Sequence, residues 1–317
     1  MKQFVRVTRF VGHRVTSMVF AASMTAALCT SARAQVLSYP FNETGTQAAA
    51  TGSAADGLGN PKLNFTGNFG GTADLHSADG GGVSGLPGDR AFDNTSSSGI
   101  IGAAHAQHPA DFDAIDAFNS FTLTGWFRLP ATATESLGRQ AALIENSTIS
   151  VLDAPGGYRL RGGPTANSGT LELRVNRDNS VESSAAYNEI GQWVYFAVSY
   201  DGTLSSNNVL FYKGTTNGSV SLVDTLSLNA GPVAQENIPL TLGVTQTSGL
   251  TLNSFSGFLD NVRIYGEVAP LATLESARLA DAAVIPEPSL TAIGLVAVLG
   301  MTLATLKQRR AAKTPQV

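Results

Sequence analysis

Between residues 121 and 265 the apolar residues recur at every second position, in short runs bounded by Gly, Asn, Asp and Pro. That period is the one a β-strand needs to bury a single face. In the run from Phe121 to Leu129, the residues Phe121, Leu123, Phe127 and Leu129 share a face. The run from Thr170 to Val175 alternates in the same way, with Glu172 and Arg174 directed outward. The segment Trp193 to Tyr200 is apolar on both faces and is predicted to be a central strand, with Trp193 and Tyr195 packed between sheets. Asp201-Gly202 is predicted to turn the chain, and Thr203 to Asn207 lengthens the hairpin before the strand Asn208 to Lys213. Phe255 to Tyr265 closes the series and is predicted to return beside the first strand. Only Pro270 to Ala280 reads as a short helix, with Leu271, Leu274 and Leu279 on one side. Many strands without alternating helices imply an all-β sandwich or jelly roll. No fixed repeat is present, which argues against a propeller or solenoid.

The two ends have a different composition. Lys2, Arg6, Arg9 and Arg14 precede an apolar run from Val15 to about Cys29, and Ala32-Arg33-Ala34 follows. This is the order of a secretory signal peptide covering residues 1–34, with cleavage between Ala34 and Gln35. Leu28 stands where a lipoprotein site needs a small residue, and no two arginines are adjacent within residues 1–34, so neither a lipoprotein nor a twin-arginine signal is supported. At the other end, Pro286-Glu287-Pro288 lies in a linker over residues 281–289. An uncharged stretch from Leu290 to Leu306 and a basic tail over residues 307–317 follow. A stretch of about 17 apolar residues is the lower limit for a membrane-spanning helix, and the basic flank sets its cytoplasmic side.

Cys29 is the only cysteine and falls within the predicted leader, so the mature domain has neither a disulfide nor a thiolate metal site. The chain holds 20 Lys and Arg against 24 Asp and Glu. Five of the basic residues lie in the leader and four in the tail, whose one acid is Glu287; the domain between them therefore carries 11 basic and 23 acidic residues, a net charge of −12. Such a charge argues against nucleic acid and anionic polymers as partners, and suits divalent cations or neutral glycans.

The C-terminal order of Pro-Glu-Pro, hydrophobic helix and Arg-rich end resembles the PEP-CTERM sorting tail. That resemblance implies a bacterial surface protein held in the membrane until an exosortase-type protease processes it. The segments between resemble the LamG-like, concanavalin A-like jelly roll over residues 35–280. They are Leu37-Ser-Tyr-Pro-Phe41, Gly88-Asp-Arg-Ala-Phe-Asp93, Phe121 to Phe127, Leu143-Ile-Glu145, Gln192 to Gly202, Leu210 to Gly214 and Gly257-Phe-Leu-Asp-Asn-Val-Arg-Ile-Tyr265. The resemblance implies a non-enzymatic binding or adhesion module with a neutral glycan or a surface protein as ligand. The alternative is a glycan-active hydrolase or lyase on the same fold.

The family resemblance also implies a structural calcium ion, held here by Asp56, Asn60 and Asp260. Calcium takes six to eight oxygen ligands. Val262 and Ile264 are expected on the same face as Asp260, so its carboxylate would need an ion or a partner. Capping a turn or pairing with an arginine would serve equally. The loop Ala55-Asp56-Gly57-Leu58-Gly59-Asn60 is less acidic than the family's.

His105 and His108, beside Asp111 and Asp113, have the look of a metal cluster. Pro109 breaks any helix there, and solvated loop histidines are expected. Asp111, Asp113 and Asp116 form the one close carboxylate set. Asp111 and Asp113 could share a strand face, but no Glu and no aromatic platform stands beside them, and no catalytic residue is expected. Neither a Gly-x-Ser-x-Gly nor a His-Glu-x-x-His motif occurs. Tyr158, Tyr187 and Tyr212 are expected on the sheet surface, where tyrosines can stack on sugars. Asn42, Asn64, Asn94, Asn146 and Asn217 begin Asn-x-Ser/Thr triplets, which carry little weight on a bacterial surface.

Overall fold

The structure is a computed structural model. It describes residues 35–53, 62–67, 70–95, 104–108, 113–131, 142–147, 156–164, 169–176, 179–235, 238–247, 250–252 and 254–283. The predicted leader, the loop holding Asp56 and Asn60, Asp111, the Pro-Glu-Pro segment and the stretch 290–306 lie outside these residues. Among the described residues, no helix is long and apolar enough to cross a membrane.

The strands are β1 (Gln35–Tyr39), β2 (Gln47–Ala48), β3 (Leu63–Thr66), β4 (Phe92–Asp93), β5 (His105–Gln107), β6 (Ser120–Arg128), β7 (Ala142–Asn146), β8 (Tyr158–Gly162) and β9 (Leu171–Val175). They continue as β10 (Asn179–Glu182), β11 (Trp193–Asp201), β12 (Val209–Thr215), β13 (Ser221–Leu226), β14 (Thr241–Leu242), β15 (Thr245–Thr247), β16 (Leu250–Leu252) and β17 (Phe258–Tyr265). One helix follows, α1 (Leu271–Ala282). The first sheet has the order β1-β17-β6-β11-β12-β13, with β4 also on β17. The second has the order β10-β9-β8-β7-β14-β5-β3-β2, and β15 and β16 form a separate hairpin. The named strand pairs within the sheets are antiparallel.

The period-two expectation holds for the core. Phe121, Leu123, Phe127 and Leu129 join Val194, Phe196, Val198 and Tyr200 in one buried cluster with Leu160, Leu171, Leu173 and Val175 of the second sheet. β11 lies between β6 and β12, as a strand apolar on both faces should. β17 returns beside β1, pairing Ile264 with Leu37 and Val262 with Tyr39.

Trp193 and Tyr195 are not between the sheets. With Trp126, Tyr212, Tyr265 and Leu274 they form a second cluster on the outer face of the first sheet. The reason is register: Val194, Phe196, Val198 and Tyr200 already take the inner face, so the alternate residues must point out and be covered there. Helix α1 supplies part of that cover. The sequence places Leu271, Leu274 and Leu279 on one side, but only Leu274 and Arg278 are buried, while Leu271 and Leu279 are 45% and 54% exposed. Polar anchors do the rest. Asp281 accepts from Trp126 Nε1 at 2.9 Å and from Arg263 Nη1 at 2.7 Å, and its other oxygen is bonded by Arg263 Nη2. Burial works against the Arg263 charge, and the Asp281 carboxylate overcomes it, holding the guanidinium above its ordinary range. Arg278 pairs with Glu275 and donates to the carbonyls of Thr215 and Thr216, while Glu275 accepts the Val220 amide at 2.8 Å.

Removing one partner of a buried ion pair leaves the other charge stranded, which costs about 3–5 kcal/mol. Asp281→Ala should therefore lower unfolding stability by about that amount in a denaturant titration, whereas Leu279→Ala on the exposed side of α1 should change it by less than about 0.5 kcal/mol.

Candidate functional site

Two regions hold polar side chains where the core logic does not ask for them. The first surrounds Asp260. The sequence predicts that Asp260 shares a face with Val262 and Ile264, and the structure overturns this. The β17–β6 register shifts between Asp260 and Arg263, and Asn261 takes a φ of 48°. Asn tolerates this left-handed conformation better than most residues. The extra residue keeps Leu259, Val262 and Ile264 in the inner core and sends Asp260 to the outer face, opposite Trp126.

There Asp260 is fully buried and accepts two backbone amides, Val83 at 2.9 Å and its neighbour Asn261 at 2.7 Å. Val83 belongs to a glycine-rich loop over residues 77–91. Asp89 ties that loop together, accepting the Ser84 amide and hydroxyl, each at 2.7 Å. A Cβ on Gly82 would lie 2.5 Å from the Asp89 carboxylate, so only glycine fits there. Burial first, and the Asp89 charge second, push the Asp260 carboxyl well above the usual carboxylate range; the two amides pull the other way. Arg128 bears on the same region. Its guanidinium sits 4.7 Å from the Trp193 ring and 4.4 Å from the Phe258 ring. Through these two amides Asp260 ties the glycine-rich loop to β17. Among the described residues no group of three or more His, Cys, Asp and Glu could hold a metal, and Asp56 and Asn60 fall outside them.

The other sequence candidates come out differently. His105 is in β5, opposite Thr66, and both His105 and His108 are buried rather than solvated. Asp113 begins a 3-10 turn, Asp113–Ile115, and not a strand; Asp116 is buried. Tyr158 and Tyr187 are fully buried and Tyr212 nearly so, so none offers a surface platform. Tyr158 is taken into the inner core by the alternation that turns Arg159 and Arg161 outward.

The second polar region was not foreseen as a unit. Following the register across the second sheet, one row reads Gln47, Asn64, Gln107, Thr241, Glu145, Arg159, Arg174, Ser180. Each of the eight strands contributes one residue, and each is polar. At about 4.8 Å per strand the row is about 34 Å long. Two residues along, Arg161 faces Glu172, which faces Glu182. Gln47, Ser180 and Glu182 are exposed, and Asn64, Gln107 and Arg174 are half-buried. Thr241, Glu145, Arg159, Arg161 and Glu172 are buried.

The charges in this region are interleaved. Arg161 forms a two-pronged pair with Glu172, Nε to Oε2 at 2.9 Å and Nη2 to Oε1 at 3.0 Å. Arg159 approaches Glu145 at 3.6 Å and Arg174 approaches Glu172 at 3.5 Å. Burial brings the Arg159 guanidinium down to about 10 against the pull of Glu145, and the nearby Arg161 and Arg174 push the same way as burial. The only hint in the sequence is the pair of motifs Arg159-Leu-Arg161 and Glu172-Leu-Arg174, two charges two apart on apolar strands.

Residues 101–272, more than half of the chain and including β6 to β17, match the family model of the concanavalin A-like lectin/glucanases superfamily. The chain belongs to that superfamily. No curated protein matches it in sequence. Among solved structures it is similar to domain 4 of AbnA, a GH43 extracellular arabinanase from Geobacillus stearothermophilus, in complex with arabinotriose. That match has 16% identity and a TM-score of 0.49, and covers 78% of this chain and 98% of that one. The heptameric SAP-like pentraxin of Limulus polyphemus matches at 15% identity and a TM-score of 0.42, over 59% and 80% of the two chains. The CBM40 of the Ruminococcus gnavus IT-sialidase, bound to α2,3-sialyllactose, matches at 13% and 0.41, over 54% and 92%. The superfamily assignment agrees with the two-sheet antiparallel architecture described above.

Proposed function

We propose that this is an exported bacterial surface protein whose concanavalin A-like domain binds glycan without cleaving it. The observation that carries the reading is the polar row across all eight strands of the second sheet. A core sheet of a two-layer sandwich needs only its inner face to be apolar, and a continuous hydrogen-bonding outer face is what a hydroxyl-rich ligand requires. The row opens to solvent at Ser180 and Glu182, next to Arg174, and the ligand is read as entering from that end. Both Glu172 oxygens are engaged by Arg161, so this carboxylate is not free to protonate a leaving group.

On a glycan panel, the domain should be retained by at least one oligosaccharide. Ser180→Ala combined with Glu182→Gln should weaken retention about tenfold or more, and prolonged incubation should release no new reducing ends or unsaturated products. Turnover that Glu145→Gln or Glu172→Gln abolishes would replace the binding reading with the hydrolase or lyase one.

The export reading rests on both ends of the sequence. Among the described residues α1 ends at Ala282, four positions before the Pro286-Glu287-Pro288 signature begins. We read residues 290–306 as the transmembrane segment, 307–317 as its cytoplasmic tail, and an exosortase-type protease as the processing partner. In host cells the surface form should lack residues 290–317. Alanines at Pro286, Glu287 and Pro288 should leave a larger, membrane-bound species, and equal sizes for the two would indicate a plain anchor.

A structural calcium ion remains part of this reading, with Asp260 as its buried ligand and Asp56 and Asn60 completing it. The ion would add positive charge beside Asp260 and the neighbouring Asp89. The folded state holds the Asp260 proton more tightly than the unfolded chain. Without metal, that contribution to stability is present at low pH and is lost as pH rises from the ordinary carboxylate value toward the raised one. Calcium at a hundred times its dissociation constant should add about 2.7 kcal/mol and remove that loss. An unchanged melting curve in excess chelator, with metal shown to be absent, would reject the ion.

A further inference from the structure

The acidic domain carries its charge unevenly, and one juxtaposition on the second sheet is out of place. Arg159 on β8 and Arg174 on β9 are direct register partners. Like charges directly opposite on neighbouring strands repel and destabilise a sheet. The carboxylates nearby offset the conflict only in part: Glu145 stands 3.6 Å from Arg159 Nη1, which makes no hydrogen bond. Glu172 gives both oxygens to Arg161 and lies 3.5 Å from Arg174 Nε without a hydrogen bond. Among the described residues, Arg159 Nε and Nη1 and Arg174 Nε are buried atoms with no hydrogen-bond partner. The Arg159 side chain is 4% exposed and that of Arg174 is 27% exposed. Among the described residues, the three guanidiniums Arg159, Arg161 and Arg174 stand beside Glu145 and Glu172, with Glu182 opposite Glu172 at the exposed edge. Buried guanidinium N–H groups left unmet are costly, and a planar two-oxygen anion matches the donor fork of arginine.

We propose that the Arg159–Arg174 pair receives the carboxylate of an acidic sugar. The proposal rests on the glycan-binding reading and changes the expected ligand from a neutral to an acidic saccharide. The domain charge of −12 still matters. It repels a polyanion at long range, so the fitting ligand carries one carboxylate on a short oligosaccharide, as in a uronic or sialic acid residue, and not a polyuronate. Arg174 stands at the open side and Arg159 lies behind it, which lets the acid group reach the pair while the neutral sugar rings stay at the exposed edge formed by Ser180 and Glu182. Binding at a largely enclosed pair is screened less by salt than binding at an exposed patch.

The test is titration calorimetry on the full chain in detergent. The probes are glucuronosyl and galacturonosyl disaccharides and sialyllactose, each beside its carboxyl-reduced counterpart. At least one acidic probe should bind tenfold or more tighter than its reduced form, with less than a threefold loss between 50 and 200 mM salt, on the order of what a shielded contact allows. Arg174→Gln, at the half-exposed position, should abolish that preference. Arg159→Lys, which keeps the charge but loses the fork, should reduce the preference even if Arg159→Gln does not fold. Equal binding of acidic and reduced sugars, or a preference that survives Arg174→Gln, overturns the proposal and leaves the glycan-binding reading standing. Failure to bind any acidic or neutral glycan overturns both.

Discussion

A single extra residue in β17 sets the arrangement of the whole molecule. Strict alternation through Leu259-Asp260-Asn261-Val262-Arg263-Ile264 would turn Asp260 and Val262 to the same side. The bulge at Asn261, with its φ of 48°, restores Val262 and Ile264 to the core beside Leu259 and turns Asp260 and Arg263 outward. Those two residues then anchor the elements that cover the first sheet. Asp260 takes the Val83 amide of the glycine-rich loop, and Arg263 takes Asp281 of α1. Without the bulge, keeping Val262 and Ile264 inside would send the Asp260 carboxylate into an apolar core and release the glycine-rich loop, whereas keeping Leu259 inside would turn Arg263 inward and release α1.

The two sheets consequently have different outer faces. On the first, Trp126, Trp193, Tyr195, Tyr212 and Tyr265 are sealed by α1 and the residue 77–91 loop, and this aromatic layer serves stability. On the second, the outer face is a polar row whose charges are held in pairs on the strands themselves. A binding surface built on strands is positioned more firmly than one built on loops. The buried pairs also carry a risk, because removing one partner strands the other.

The inner core was legible because period-two alternation depends only on neighbours in sequence: Phe121, Leu123 and Phe127 fall where the pattern puts them. What the pattern could not reveal depends on register between distant segments. Whether Trp193 faces the second sheet or α1 depends on which of the two alternating sets in β11 is inner, and both are apolar. The Asp260 misreading came from one residue of bulge, hinted at only by an Asn within a strand. Tyr158, Tyr187 and Tyr212 look like surface tyrosines in isolation, and burial came from elements packed over them. The Arg159–Arg174 opposition needs the β8–β9 register, which Arg159-Leu-Arg161 and Glu172-Leu-Arg174 do not state by themselves.

The central claim is that the second sheet's polar row is where this domain meets its ligand. The direct measurement is the set of arginine Nε–H resonances in isotope-labelled protein as an acidic disaccharide is titrated in. The account predicts that Arg159 and Arg174 move together along one saturable curve, while Arg161, already donating to Glu172, and Arg263, already held by Asp281, stay in place. Shifts confined to Arg128 and Arg263 on the first sheet, with Arg159 and Arg174 unmoved at saturation, would contradict it.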